Sequence, residues 1–186
     1  MANIKVVQHH EAEGLLKETY DHLVQTRGKL AEVHKIQSLN PPTIMQHMDL
    51  YMGIMFGQSP LKRYQREMMA VVVSKSNDCE YCQVHHAEAL NFYWKDDSKT
   101  ALLKKDFTAV DLSAADKALC EMAKALTINP GETVKGEHVN ALKKLGMDDR
   151  AILDATLVIA YFNFVNRIVL NLQVELGEEE AKGYEY

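Results

Sequence analysis

The 186-residue sequence has no apolar run approaching the roughly 20 residues of a membrane-spanning helix. Met1 to Val7 carry one lysine and no apolar stretch of the kind an export signal needs. The expectation is a cytoplasmic protein without a membrane partner. Basic residues are not in excess: 21 Lys and Arg against 26 Asp and Glu leave a net charge of -5, and the lysines are scattered among acids. A nucleic-acid binder needs a basic patch to neutralise phosphates, so no nucleic-acid partner is expected. Strand signals are scarce: there is little alternation of apolar and polar residues and no Asn-Gly or Asp-Gly turn. Three cysteines are too few, and odd in number, for a secreted disulfide framework.

What is present is helical. Hydrophobic residues make up 47% and charged residues 25%, enough to bury a sizeable core. The apolar spacing predicts helices over about 11–26, stopped by Gly28, and over 43–56 after Asn40-Pro41-Pro42. Ser59 as N-cap and Pro60 at the first helical position predict a helix to about Ser74. Its apolar stretch Met68 to Val73 has no polar face and should be central. Further helices are expected over about 79–94, 113–126, 134–145 and 148–176, with 96–105 read as a polar connection and an acidic, mobile tail after Gly177. Leu39-Asn40-Pro41 followed by Arg66, and Ile128-Asn129-Pro130 followed by Arg150, suggest an internal repeat. Aligning the arginines sets Asn163 opposite Cys79 and Asn166 opposite Cys82. The expectation is one all-α domain over 1–186, with pseudo-repeats at about 39–95 and 112–176.

The chemistry gathers in Cys79-Glu80-Tyr81-Cys82-Gln83-Val84-His85-His86. With Asn77 as N-cap and Glu80 at the third helical position, Cys79, Cys82 and His86 fall within an arc of about 60° on one helix face. Two thiols three residues apart near a helix start can close a disulfide with little backbone movement. A free thiol has a pKa of roughly 8.5, so one sulfur must be made more acidic. Cys79 is nearer the helix N-terminus, but Asp78 and Glu80 flank it with like charge. Cys82 has His86 one turn away as a base. This favours Cys82 as nucleophile and Cys79 as resolving thiol. Glu67, just ahead of the apolar run, is a carboxylate able to orient that histidine, following the general nucleophile, base and orienter logic.

Glu67, Cys79, Cys82 and His86 together resemble the Glu-x11-Cys-x2-Cys-x3-His signature of alkylhydroperoxidase D (AhpD) and the wider carboxymuconolactone decarboxylase-like superfamily. Ser59-Pro60-Leu61 to His86, Ala125 to Pro130 and Asn163-Phe164-Val165-Asn166-Arg167 are similar to its uncharacterised peroxidase-related branch. The resemblance implies an all-helical AhpD-like fold with an internal pseudo-repeat, assembled as a homo-oligomer, a trimer or hexamer. It implies a thiol peroxidase acting on hydrogen peroxide or organic hydroperoxides, with Cys82 peroxidatic, Cys79 resolving, His86 the base and Glu67 its relay partner. No organic cofactor or metal is expected. The implied reductant is a thioredoxin-like or lipoyl dithiol. One departure stands out: AhpD has a histidine immediately before the second cysteine, and here that residue is Tyr81, whose phenol titrates near 10 and is a poor base at neutral pH.

Other readings compete. Tyr81 favours a thiol-disulfide exchanger or redox sensor with little peroxidase activity. Cys79, Cys82 and His86 or His85 could supply zinc ligands, but a structural site usually wants a second ligand pair and Cys120 stands alone. A cofactor-free lactone decarboxylase rests on fold analogy alone. Cys120, beside Leu119 and Met122, is expected in the core. Arg167, within an apolar stretch, needs a partner if buried; an ion pair at a helix or subunit interface is expected over a substrate role.

Overall fold

The computed structural model describes residues 1–177 and Glu180. Among these residues every regular element is helical. The chain runs through α1 (Gly14–Arg27), the short α2 (Glu32–Lys35), α3 (Pro41–Met55), α4 (Arg63–Ser76), α5 (Glu80–Trp94), α6 (Asp97–Lys105), α7 (Ala114–Ile128), α8 (Glu137–Lys144) and α9 (Asp149–Leu172). Helix α4 is the axis of the core, packed by α5, α7 and α9. Its ten residues from Gln65 to Ser74 are all buried, as the apolar stretch requires. A smaller cluster joins α1 to α3 through Leu16, Tyr20, Leu23, Ile44 and Met48.

The elements begin and end for local reasons. Ser113 and Asp148 accept hydrogen bonds from Asp116 N and Ala151 N and so cap α7 and α9. Gly28 closes α1 at φ 72°. Asn40 and Asn129, each before a proline, hold nearly the same backbone angles, φ -139°, ψ 72° and φ -133°, ψ 65°.

Several expected boundaries move. Ser59 does not cap α4. Its hydroxyl donates to Asp154 Oδ2 at 2.5 Å and accepts from Leu61 N, so the helix starts later, at Arg63. The connection expected at 96–105 contains α6, because Asp96 accepts from Lys99 N and starts a helix there. The helix expected over 134–145 is split at Gly136, φ 71°, into a 3-10 segment and α8. Helix α9 ends at Leu172. It has the length and mean hydropathy (1.4) of a membrane span, a property the sequence reading did not register; half of the qualifying stretch is buried within the fold. Most of the expected mobile tail lies outside the described residues. Glu180 within it is buried.

The loop from α3 to α4 is organised by Arg66. Its guanidinium donates to the carbonyls of Ile54, Met55, Gly57 and Leu61 at 2.9–3.2 Å. Arg150, its counterpart in the suggested repeat, pairs with Asp154 and reaches Gln58 O. Within the single chain Arg167 is exposed on the outer side of α9 and donates to the carbonyl and side chain of Asn163.

Candidate active site

The turn between α4 and α5 places the two cysteines. Asn77 is not the N-cap of α5 but the C-cap of α4, and its amide donates to Asn163 Oδ1 and Asn166 Oδ1 on α9. Asp78 adopts φ 54°, the left-handed region that asparagine and aspartate tolerate best after glycine. Cys79 then becomes the N-cap, with Cys82 in the first turn of α5. Both sulfurs are buried, unbonded, and 3.0 Å apart.

This placement changes the expected acidity. Cys79 and Cys82 share a sulfur–sulfur hydrogen bond, which, against the opposing cost of burial, holds the Cys79 thiol below the ordinary range. The facing Cys79 sulfur, then burial, push the Cys82 thiol well up, with a hydrogen bond from Asn166 opposing. The sequence placed the acidic sulfur at Cys82. In the reduced pair the lowered thiol is Cys79, the facing Cys82 sulfur being the main cause.

Glu67 and His86 meet across the α4–α5 contact. Glu67 is fully buried, and its Oε2 lies 2.7 Å from His86 Nδ1. Arg63, one turn earlier, donates from Nε and Nη2 to Glu67 Oε1 at 2.9 and 2.5 Å. Burial works to raise the Glu67 carboxyl, but the His86 ring and the Arg63 guanidinium hold it below the usual carboxylate range. An ionised Glu67 accepts from His86 Nδ1–H, which leaves Nε2 as the nitrogen able to exchange a proton. The Arg63 guanidinium stacks on Phe56, 3.7 Å from the ring centre.

A cavity of about 100 Å³ adjoins this set. Cys82 and His86 line it, with Met48, Tyr51, Phe162 and Val165 among the apolar walls. His34, His47 and Tyr161 add polar atoms, and Arg27 and Lys29 add basic ones. Sequence spacing had offered no sign of Asn166, His47 or Tyr161 as site residues, apart from the alignment of Asn166 with Cys82.

Tyr81 does not enter the Glu67–His86 pair. Its hydroxyl donates to Glu180 Oε1 at 2.8 Å and accepts from Val33 N at 3.3 Å. His85 stacks beside it and contacts Tyr81 O and Glu180 O through its two ring nitrogens. Among the described residues, no three His, Cys, Asp or Glu side chains converge as a metal site would require. Cys120 is buried in α7, with its thiol pushed up by burial.

Residues 42–91 match the model of the carboxymuconolactone decarboxylase family. Among solved structures, an uncharacterized peroxidase-related protein from Silicibacter sp. TM1040 is 25% identical, with 100% of each chain covered and a TM-score of 0.83. An AhpD core from Ralstonia eutropha JMP134, also called peroxidase-related, is 18% identical over 99% of this chain and 98% of its own, with a TM-score of 0.85. The chain has the AhpD-like all-helical fold, and its segment 42–91 is similar to the carboxymuconolactone decarboxylase family. The debrominase Bmp8 shares the fold at 19% identity, covering 96% of this chain and 94% of its own, with a TM-score of 0.78. A cysteine-to-alanine variant of Bmp8 has been solved in complex with 2,3,4-tribromopyrrole. No curated protein matches the sequence.

Proposed function

We propose that this protein is a cofactor-free thiol peroxidase that reduces hydrogen peroxide or organic hydroperoxides through Cys82 and Cys79. The observation that carries the reading is the pair of free thiols 3.0 Å apart, with Cys82 on the wall of a cavity shared with His86. The description of two similar structures as peroxidase-related proteins supports the same reading.

The pair acts as a unit, since coupled thiols lose protons in steps that belong to both sulfurs. Moving the Cys82 proton to the Cys79 thiolate shifts the negative charge onto the cavity-facing sulfur. Cys82 then attacks the hydroperoxide, the O–O bond breaks, and Cys82 becomes a sulfenic acid as the alcohol leaves. Cys79 condenses with the sulfenic acid, forming a disulfide and releasing water. An external dithiol, thioredoxin-like or lipoyl, restores both thiols. His86, oriented by Glu67, exchanges protons through Nε2 during these steps. The assembly proposed is a cytoplasmic homo-oligomer, a trimer or hexamer; exposed Leu153, Leu157 and Phe164 on α9 offer apolar surface for it.

Stopped-flow peroxide consumption tests the reading. Cys82→Ser should abolish turnover, and Cys79→Ser should leave Cys82 carrying one added oxygen, seen by mass spectrometry. Unchanged turnover in Cys82→Ser would overturn the assignment.

A second reading has one observation in its favour, the aromatic and apolar wall beside Cys82. The same dithiol could remove halogen from an aromatic ring, giving the dehalogenated ring, a disulfide and hydrogen halide. Halide release from a brominated pyrrole, with no hydroperoxide consumption, would favour it.

A further inference from the structure

The cavity that His86 lines carries a second polar chain whose direction can be fixed atom by atom. Gln37 Nε2 lies 2.8 Å from the Val33 carbonyl oxygen. An oxygen there accepts only, so the Gln37 nitrogen is a donor. The same Nε2 lies 2.8 Å from His47 Nδ1, which must therefore accept and carry no proton. His47 is buried, and burial lowers its pKa to about 4, so the ring is neutral near pH 7. Its one proton then sits on Nε2, 2.8 Å from the Tyr161 hydroxyl oxygen. That oxygen accepts from His47, and the phenolic proton is left to point elsewhere.

Tyr161 lines the same cavity as Cys82, and its ring packs edge-on against Phe162, which in turn packs edge-on against His86. We propose that the Tyr161 hydroxyl, oriented by His47 and Gln37, is a catalytic residue that donates its proton to the oxygen leaving the hydroperoxide. This rests on the peroxidase reading above. Burial, then Tyr51 and Cys82, push the Tyr161 hydroxyl well above its ordinary pKa, so it remains protonated until an alkoxide forms beside it.

The step balances. The Cys82 thiolate forms an S–O bond to the terminal peroxide oxygen as the O–O bond breaks. Sulfur is oxidised by two electrons, and the departing electron pair leaves on the alkoxide. The alkoxide takes the Tyr161 proton, and the phenolate is reprotonated by the proton that Cys82 had passed to Cys79, which returns Cys79 to the thiolate. Thiol and hydroperoxide together become sulfenic acid and alcohol. The apolar walls suit an organic hydroperoxide, whose alkoxide is poorly stabilised without a donor in place.

The experiment compares single-turnover oxidation of the reduced protein by tert-butyl hydroperoxide and by a peroxycarboxylic acid. The first leaves as an alkoxide that needs a proton, the second as a carboxylate that does not. Tyr161→Phe should slow the alkyl hydroperoxide at least about tenfold and the peracid far less. His47→Leu should show the same selective loss, and His47→Gln, which can still donate to the hydroxyl, should recover part of it. Equal slowing of both oxidants, or no slowing of either, would overturn the role of Tyr161 while leaving the peroxidase reading intact. A wild-type protein no faster than Cys82→Ser with both oxidants would overturn the two together.

Discussion

Glu67 is a carboxylate with no exposed surface, answered on one oxygen by Arg63 and on the other by His86. A buried charge of this kind persists only when both its charge and its lone pairs are met. Glu67→Gln keeps the shape but removes the charge that Arg63 faces. It should cost about 3 kcal/mol in urea unfolding and slow peroxide reduction, since His86 would lose the acceptor that fixes its tautomer. Full activity in Glu67→Gln would detach the pair from catalysis. The four residues Glu67, Cys79, Cys82 and His86 were legible as a set because each spacing fits one helix or two neighbouring ones. Tyr161 and His47 were not: 79 residues separate Tyr161 from Cys82, and only the packing of α9 against the rest brings them to one cavity. The order of acidity was misread for a narrower reason. The two sulfurs face each other and share one hydrogen bond, a contact that spacing along a helix does not orient.

Helices were legible wherever a strong stop or cap bounded an apolar stripe, as at Gly28, Ser113 and Asp148. They were misjudged where a capping side chain was used elsewhere. Ser59 serves Asp154, an interaction spanning 95 positions that no local pattern announces. The two arginines of the suggested repeat show the same dependence on context. Arg66 is buried and holds four carbonyls of the α3–α4 loop, whereas the Arg150 side chain is 60% exposed. Arg66→Met should therefore destabilise by about 3 kcal/mol or more, since several buried acceptors lose their donor at once. Arg150→Met should cost no more than about 1 kcal/mol. Denaturant midpoints of the two variants check the contrast, and equal losses would contradict it.

For the molecule as a whole, the buried imidazoles set a pH limit. Burial lowers His47 to about 4; burial, then His47 and Arg27, lower His34 to about 3. Both lie below the ordinary value of 6.5, so the unfolded chain binds protons that the folded one refuses. The stability they contribute is present above pH 6.5 and falls as pH drops toward 4. For His47 the loss amounts to about 3 kcal/mol across that range. Thermal midpoints should decline steadily from pH 7 to pH 5, and His47→Gln should flatten the decline; a midpoint independent of pH in the parent would refute it. The far end of the chain also bears on the reactive centre. Glu180 receives the Tyr81 hydroxyl and Glu32 N–H on its side chain, and Lys29 and His85 meet its backbone carbonyl. Shortening that removes this residue would thus strip an acceptor from Tyr81, Lys29 and His85 on the cavity wall, and preparations with and without it would not be chemically equivalent.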